Sequence, residues 1–465
     1  MFNRVELPIW VLVLILAFAG VTFASHFLFP SVRWFFRKRA EKALARINAK
    51  LDRPIELFKL ARRQDMIVRL TYDPVVLAAV SEHAREAGVP GEVAFEEART
   101  YAREIVPGFS TLLYFGVAIR LAKWVSRGLY RVRIGKIDAA LAHIDPRATV
   151  IFVINHRSNM DYVLVTWLVS GRAAISYAVG EWARIWPLSR LIRAMGAYFI
   201  RRGFRNTLYR RVLARYVQMA TADGTTQAIF PEGGLSLNGR VGAAKLGLLS
   251  YIVEAYTPEG RDVVFVPVGL AYDRVLEDRI LTDAAMVETR RFRAPILGIL
   301  AFAAKTLWRK LRGRFKGFGT AAASFGHPIS LRSFYGRHPG GTVEALATHL
   351  MAEIEHAVPV LPVPLVAAAL LEGVVDTQET LAARVQAILD RLAAGRAVLK
   401  LAPQGIERTI KEGLTPLVAR GLVAEDLTII PRNAAVLRFY AAPVQQRLSV
   451  ADKREIPFVN DDLPD

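Results

Sequence analysis

The chain has 465 residues, enough for one large domain with appendages or for two or three domains. Its 62 Lys and Arg residues outnumber its 42 Asp and Glu residues, and the net charge of +20 implies an acidic partner: nucleic acid, anionic lipid or phosphorylated small molecules. Hydrophobic residues make up 53% of the chain, which favours a membrane, so nucleic acid is not an expected partner. The absence of cysteine excludes disulfides, thiolate metal sites and a cysteine nucleophile. No two histidines have the i, i+4 spacing of zinc ligands, and no metal site is expected.

The amino-terminal stretch 8–29 carries no charged side chain and predicts a transmembrane helix about 33 Å long. Basic residues at 33, 37, 38, 39 and 42 follow it, which places the rest of the chain on the cytoplasmic side. A cleaved signal peptide is the rival interpretation, but the positive charge follows the apolar run and no clear cleavage site is present. We therefore predict an uncleaved, single-pass anchor in residues 1–35, located in the inner (plasma) membrane of the cell.

Residues 36–135 alternate charged and apolar side chains at helical spacing and predict a helical, membrane-proximal region. Within it, the apolar stretch 109–127 is interrupted by Arg120 and Lys123, which suits either a helix at a membrane surface or an ordinary core helix. A second segment, 295–318, carries six basic residues around Trp308. It is typical of contact with an anionic phospholipid membrane, although a solvated basic helix has the same pattern.

Between residues 136 and 335 the pattern changes to short β-branched runs separated by helical stretches. The runs are 149–154, 174–179, 198–200, 226–230 and 263–268. This alternation predicts an α/β domain with a largely parallel central sheet flanked by helices. Residues 336–465 predict a mainly helical C-terminal region that ends in a charged tail.

The stretch 155–162 follows the first of these strands, at the point where a helix should begin. His156 and Asp161 lie five residues apart across this turn, close enough for the carboxylate to accept a hydrogen bond from one imidazole nitrogen. The other nitrogen would then face the cleft, which is the geometry of an oriented general base. On these eight residues alone, a satisfied helix cap beside a core histidine is the alternative interpretation.

Polar or glycine-rich residues also follow the other predicted strands. They are Gly180-Glu181, Arg201-Arg202, Pro231-Glu232-Gly233-Gly234 and, after Pro267, Gly269. Because ligands bind beyond the carboxyl ends of the strands in parallel sheets, we expect these segments to converge on one cleft.

Taken in order, these segments resemble the glycerol-3-phosphate acyltransferases, in particular the large membrane-associated branch that includes the dihydroxyacetone-phosphate acyltransferases. The family's first block, His-x4-Asp, is matched by NHRSNMDY at 155–162, and the second by GAYFIRR at 196–202. The third is matched by FPEGG at 230–234, GR at 239–240 and KLG at 245–247, and the fourth by VPV at 266–268. FGHPI at 325–329 resembles the motif that closes the family's domain.

The resemblance implies an acyltransferase fold and the transfer of a fatty acyl group to a phosphorylated acceptor. The acyl donor would be a thioester, either acyl-CoA or acyl-carrier protein, with no cofactor. His156 would be the general base and Asp161 would orient it. The residues implied in binding the acceptor and its phosphate are Arg157, Arg201, Arg202, Glu232, Gly233, Arg240 and Lys245. For Glu232, an ordinary turn residue is the alternative.

One departure from the family concerns the third block, where the family's Arg-Ser-Arg is replaced by Leu235-Ser236-Leu237. Two expected cations are missing, so the phosphate should depend on Arg201 and Arg202, helped by Arg240 or Lys245. Glycerol 3-phosphate is the expected acceptor, with dihydroxyacetone phosphate or lysophosphatidate as alternatives. A non-catalytic lipid- or nucleic-acid-binding protein on the same scaffold is a third hypothesis, which an intact His156 and Asp161 disfavour.

Overall fold

The computed structural model describes residues 8–23, 63–135, 137–180, 188–201, 203–287 and 317–453, with a few isolated residues between them. The chain divides into two compact units, Met1–Pro54 and Ile55–Asp465. In the first unit, helix α1 spans Ile9–Phe23, and side chains such as Ile9 and Trp10 are exposed. The remainder of the predicted span, 24–29, and the basic cluster after it lie outside the described residues. Within the described part of the chain, no helix is both long and apolar enough to cross a membrane.

The second unit combines helices with one mixed sheet. Its helices are α2 Arg63–Thr71, α3 Pro74–Ala87, α4 Gly91–Ile105, α5 Ile119–Leu129, α6 Ile137–Leu141, α7 Met160–Val169, α8 Leu188–Ala194, α9 Thr207–Ala222, α10 Leu246–Val253, α11 Asp278–Val287, α12 Leu331–Arg337, α13 Val343–Ala357, α14 Pro362–Leu371, α15 Gln378–Ala394, α16 Ile406–Ala419 and α17 Ala434–Lys453. A π-helical segment, Leu112–Ala118, leads into α5, and a 3₁₀ turn, Pro431–Asn433, leads into α17. The strands are β1 Arg131–Ile134, β2 Thr149–Ile154, β3 Ser176–Val179, β4 Tyr198–Phe199, β5 Gln227–Ile229, β6 Val263–Tyr272, β7 Thr320–Phe325 and β8 Ile329–Ser330.

The sheet has the strand order β1-β7-β6-β2-β5-β3-β4, and β8 also pairs with β6. Five of the predicted runs form the parallel part, in which β6, β2, β5, β3 and β4 run in one direction. Strands β7 and β8 pair with β6 in the antiparallel direction, and β1 runs parallel to β7. The prediction of a largely parallel sheet flanked by helices is therefore confirmed.

Strand β2 shows why the sheet is covered on both faces. All six of its residues are buried, and the five apolar ones alternate between two apolar cores. Val150, Phe152 and Ile154 pack in a core that includes the C-terminal helices α14 to α17. Ile151 and Val153 pack on the other face with helices α2 to α4, α9 and α13. Helices thus enclose the sheet on both sides, as expected for an unbroken apolar strand.

Two features of the structure concern the predicted domain boundaries. Strand β1 lies inside the predicted helical region 36–135, because the alternating sequence Arg-Val-Arg-Ile pairs with β7 at the edge of the sheet. The unit Ile55–Asp465 shows no division at residue 335, because the C-terminal helices share a core with β2. The α/β region and the C-terminal helices therefore form one body.

The carboxyl-terminal half of β6 joins these parts. Gly269 lies so close to the end of α13 that an added Cβ would stand 2.2 Å from the carbonyl carbon of Ala357. Asp273, just after the strand, accepts hydrogen bonds from Val363 N at the start of α14 and from Thr320 N at the start of β7. Burial raises the pKa of Asp273 to about 6, although the two amide donors act in the opposite direction and lower it. One carboxyl group thus ties together a strand end, a strand start and a helix start.

Candidate active site

The loop after β2 has the predicted geometry. Strand β2 ends at Ile154, α7 begins at Met160, and Asp161 lies in its first turn. The Nδ1 atom of His156 and Oδ2 of Asp161 are 2.9 Å apart, and both side chains are buried. Asn155 fixes the start of the loop, because its amide accepts from Leu270 N and donates to Leu270 O.

Four hydrogen-bond donors surround the Asp161 carboxylate. Oδ2 accepts from the His156 ring and from the backbone N–H groups of Arg157 and Ser158, at 2.7 and 2.9 Å. Oδ1 accepts from the hydroxyl of Tyr272 at 2.7 Å. Burial, followed by the negative charge of Asp161, raises the pKa of Tyr272, so its hydroxyl stays a donor. This full set of donors holds the carboxylate in one orientation towards the imidazole.

The His156 ring is more covered than the sequence predicted. It stacks on Phe230 with 4.2 Å between ring centroids and meets Tyr162 edge-on at 5.4 Å. Among the described residues, Nε2 has no hydrogen-bond partner, but the side chain is only 2% exposed. The expectation that Nε2 faces an open cleft is therefore wrong for this conformation, because Phe230 and Tyr162 cover the ring.

The main chain of His156 is held from both sides by the third block. His156 N donates to Oε1 of Glu232 at 2.9 Å, and His156 O accepts from Ser236 N at 2.8 Å. The second oxygen of Glu232 accepts from Gly242 N at 3.0 Å. Residues 236–242, which we call the brace loop, therefore clamp the peptide groups of the histidine. Burial raises the pKa of Glu232, while the two amide donors and the nearby His156 and Arg157 lower it.

Arg157 does not have the predicted position for a phosphate ligand. Its guanidinium is buried, donates from Nη1 to Gly239 O and lies 4.7 Å over the ring of Phe439 in α17. Burial lowers the pKa of this side chain. The guanidinium is thus used inside the protein, between the brace loop and the C-terminal helix.

Arg201 is also occupied within the protein. It makes two hydrogen bonds to the buried carboxylate of Glu104 in α4, at 2.9 and 2.6 Å, and its guanidinium lies over the rings of Phe204, Tyr101 and Tyr209. Strand β4, which precedes it, is three strand spacings from β2, or about 14 Å. The convergence of Arg201 on His156 is not observed, and Arg202 lies outside the described residues.

The remaining predicted cations lie around the brace loop. Arg240 is exposed at the end of a turn in which Asn238 accepts its backbone N–H. Lys245 is exposed, and its backbone N–H donates to Pro231 O at 2.8 Å. Its aliphatic stem covers Gly233, where φ is +65° and an added Cβ would lie 2.7 Å from Lys245 Cδ. Lys245 therefore lies at the end of β5, the strand next to β2.

Two residues of the site, Tyr272 and Glu277, were not among the candidates predicted from the sequence. Tyr272 contacts Asp161 because β6 continues four residues beyond Val268, the partner of Ile154. Glu277 accepts hydrogen bonds from the hydroxyl of Ser158 and from the backbone and side-chain nitrogens of Asn159. Burial raises the pKa of this carboxyl. The tyrosine after the fourth block was a visible signal, whereas nothing in the sequence marked Glu277.

Among the residues that the structure describes, no group of three or more His, Asp and Glu side chains is arranged to hold a metal ion. The site consists of an imidazole, a fully hydrogen-bonded carboxylate and a rigid main chain around them. This arrangement can accept a proton at Nε2 and stabilise the resulting imidazolium.

The chain matches two family models in succession. Residues 138–271 match the Acyltransferase family, and residues 304–444 match the glycerol-3-phosphate acyltransferase C-terminal region. A solved 1-acyl-sn-glycerophosphate acyltransferase from Thermotoga maritima is 17% identical, covers 63% of this chain and 98% of its own, and superposes with a TM-score of 0.30.

Three curated relatives carry the same name. The glycerol-3-phosphate acyltransferase of Aeromonas hydrophila is 30% identical over 361 residues, which cover 72% of this chain and 43% of the relative. The enzyme of the same name from Actinobacillus succinogenes is 31% identical over 60% of this chain and 34% of its own length. That of Pseudomonas savastanoi is 28% identical over 82% and 48%. The chain spans half or less of the length of these relatives. Since both family regions are present in order, together with the His-x4-Asp site, the chain is similar to the glycerol-3-phosphate acyltransferases in both its α/β region and its C-terminal helices.

Proposed function

We propose that this protein is a membrane-bound glycerol-3-phosphate 1-O-acyltransferase. It transfers a fatty acyl group from acyl-CoA or acyl-carrier protein to the sn-1 hydroxyl, the first step of phospholipid synthesis. The observation that carries the proposal is the pairing of His156 Nδ1 with Asp161 at 2.9 Å, in which the carboxylate is fixed by three further donors. The relatives that carry this name support the choice of reaction.

The geometry supports direct transfer. Nε2 of His156 takes the proton of the acceptor hydroxyl as its oxygen attacks the thioester carbonyl, a step in which a general base contributes about 10²- to 10⁴-fold. Asp161 stabilises the imidazolium that forms. When the tetrahedral intermediate collapses, the C–S bond breaks and the imidazolium returns its proton to the thiolate. Because the ring is covered by Phe230 and Tyr162, the substrates must displace part of this cover when they bind.

This route requires no covalent enzyme intermediate and no cofactor, because a positioned hydroxyl can attack an activated thioester directly. Ser158 is the nearest hydroxyl in the motif. Its oxygen accepts from Met160 N and donates to Glu277, which suits a helix cap rather than a nucleophile. We therefore assign the chemistry to His156 and Asp161 alone.

Two exposed cations around the brace loop, Lys245 and Arg240, are our candidates for the acceptor phosphate. Lys245 is favoured because it lies at the end of β5, beside the strand that carries His156. Arg201 is not favoured, because a phosphate would have to compete with the bidentate carboxylate of Glu104. A dianionic phosphate gains its affinity from such charge-assisted contacts.

A second acceptor, lysophosphatidate, is favoured by a separate observation. Leu235 and Leu237, which replace the family's two arginines, are partly buried and pack against the core that contains Phe230. Apolar side chains at this position suit an acceptor that already carries an acyl chain. Dihydroxyacetone phosphate remains the third acceptor to test.

We propose that the protein works on an anionic phospholipid membrane, as a single-pass protein of the inner membrane with a cytoplasmic catalytic unit. The segment Leu112–Ala118 and helix α5 expose Leu112, Leu121 and Trp124, with Lys123 among them. Exposed apolar and basic side chains on one helix are typical of an interfacial surface. The apolar helix α1 would supply the anchor.

The proposed function is tested by assaying the purified full chain in anionic lipid vesicles with palmitoyl-CoA and one labelled acceptor at a time. We expect acylation of glycerol 3-phosphate, and chromatography of the product after sn-specific hydrolysis should locate the acyl group at sn-1. Faster turnover of lysophosphatidate or dihydroxyacetone phosphate would replace the acceptor but keep the reaction. Failure to acylate any of the three acceptors, either with palmitoyl-CoA or with palmitoyl-acyl-carrier protein, would leave the non-catalytic lipid-binding hypothesis.

Substitution of Lys245 by glutamine should raise KM for the phosphorylated acceptor by roughly tenfold, the loss expected for one hydrogen bond to a charged group. The KM for palmitoyl-CoA should stay within about twofold. Lys411→Gln, which removes an exposed lysine from α16, is the matched control. An unchanged acceptor KM in Lys245→Gln, with a raised one in Arg201→Gln, would show that the phosphate binds at the end of β4 instead.

A further inference from the structure

The C-terminal helix α17 makes direct contact with the brace loop. Gln446 accepts a hydrogen bond from Val241 N at 2.9 Å and donates one to Val241 O at 3.1 Å. One side-chain amide thus satisfies both backbone groups of a single loop residue. A third hydrogen bond, from Nε2 of Gln446 to Glu355 at 3.0 Å, fixes the amide in this orientation.

A second contact lies two residues earlier in the loop. Gly239 has φ of +86°, and an added Cβ would stand 2.0 Å from the carbonyl oxygen of Phe439 in α17. The loop can approach the helix this closely only because it has glycine here. Arg157 completes the contact, because it donates to Gly239 O and lies over the Phe439 ring.

The brace loop passes this restraint on to the catalytic histidine. At one end of the loop, Ser236 N donates to His156 O. At the other end, Gly242 N and His156 N share the carboxylate of Glu232. Val241, which Gln446 holds, is the neighbour of Gly242. The brace loop therefore connects α17 to both backbone groups of His156, its N–H through Glu232 and its carbonyl through Ser236.

We propose that Gln446 and Phe439 of α17 are positioning residues for His156, although neither supplies a reacting group. This inference rests on the proposed function, in which Nε2 of His156 takes the acceptor proton. Without the amide of Gln446, the brace loop would lose its anchor and the His156 main chain would lose its fixed position. A displacement of about 1 Å at a catalytic group can cost about 100-fold in rate.

The first experiment compares Gln446→Leu with Gln445→Leu. Leucine keeps the volume of Gln446 but forms no hydrogen bond to Val241. Gln445 is its neighbour on α17, its side chain makes no hydrogen bond to another described residue, and it is the matched control. For Gln446→Leu we expect kcat with palmitoyl-CoA to fall by roughly 10- to 100-fold with both KM values within about twofold, and no change for Gln445→Leu. Equal kcat in the two variants would overturn the proposal.

The second experiment approaches the contact from the loop. Gly239→Ala should push the loop away from Phe439 and lower kcat in the same way. If both substitutions act through one contact, the double variant should be no slower than the slower single variant, because effects that share a path are not additive. Multiplied losses in the double variant would show two independent effects and overturn the shared role.

The third readout does not need activity, so it separates this inference from the proposed function. Amide hydrogen exchange of Gln446→Leu should accelerate in peptides that cover 155–161 and 236–242, and stay unchanged in α9. If the wild type proves inactive but this pattern appears, the positioning role stands and the function fails. Exchange that increases equally throughout the protein would show that Gln446 supports only global stability, and the positioning role would be rejected.

Discussion

Substitution of His156 by alanine should lower kcat for acyl transfer by roughly 10²- to 10⁴-fold, the range expected when a general base is lost. The reason is that Nε2 of His156 is the one basic nitrogen that the motif presents beside a fixed carboxylate. Binding of palmitoyl-CoA should change little, because the ring contacts Phe230 and Tyr162 rather than a cationic surface. Stopped-time assays at saturating acceptor, together with equilibrium binding of the donor, measure the two effects separately.

The substitution Asp161→Asn should reduce kcat less than His156→Ala does. Oδ2 of Asp161 accepts three hydrogen bonds, and asparagine can keep all three if its amide nitrogen takes the place of Oδ1 beside Tyr272. The orientation of the imidazole would survive, but the negative charge that stabilises the imidazolium would not. The loss in kcat should therefore be smaller than for His156→Ala. Retention of more than about a tenth of wild-type kcat by His156→Ala would contradict the mechanism.

Substitution of Glu232 by alanine should destabilise the protein by about 1–3 kcal/mol, since two N–H groups would lose their acceptor and one of them is fully buried. These groups belong to His156 and Gly242, so kcat should fall together with stability. Urea unfolding of the variant, followed by intrinsic fluorescence, gives the free energy of unfolding. Steady-state kinetics well below the unfolding midpoint give kcat.

The control is Glu259→Ala, which removes an exposed glutamate from the loop before β6 and should change neither quantity. The experiment also decides between two interpretations of Glu232. If its carboxylate bound an acceptor hydroxyl, as the sequence alone permitted, the acceptor KM would rise while the free energy of unfolding stayed constant. The structure favours the first result, because both carboxylate oxygens already accept backbone hydrogen bonds.

The parts of the fold that were predictable from sequence have a strong local pattern. Strand β2 is found at Thr149–Ile154 as predicted, because an unbroken β-branched run bounded by a polar loop suits a strand buried on both faces. Strands β1 and β7 were missed for local reasons. One has two arginines in four residues, and the other contains three consecutive alanines, which have little preference for strands. Only pairing with β6 and with each other makes them strands.

In the site, too, only contacts between residues that are close in the sequence could be predicted. His156 and Asp161 are five residues apart, so their pairing could be inferred from spacing. Tyr272 reaches Asp161 from 111 residues away, and Glu277 reaches Ser158 from 119 residues away. The observed partner of Arg201 could not be inferred for the same reason, because Glu104 lies 97 residues earlier. A strand-end arginine indicates an anion, but the sequence could not show that the anion is the protein's own carboxylate.

The shared core beneath β2 has a consequence for how such proteins can diverge. Phe152 of β2 packs in one apolar cluster with Val366 of α14 and Leu437 of α17. Phe152 lies in the region that matches the Acyltransferase family, whereas Val366 and Leu437 lie in the region that matches the C-terminal family. A substitution on either side changes the surface that the other must fit. We therefore expect a C-terminal region taken from a distant relative to pack poorly against β2, because its apolar side chains would not match those of the sheet.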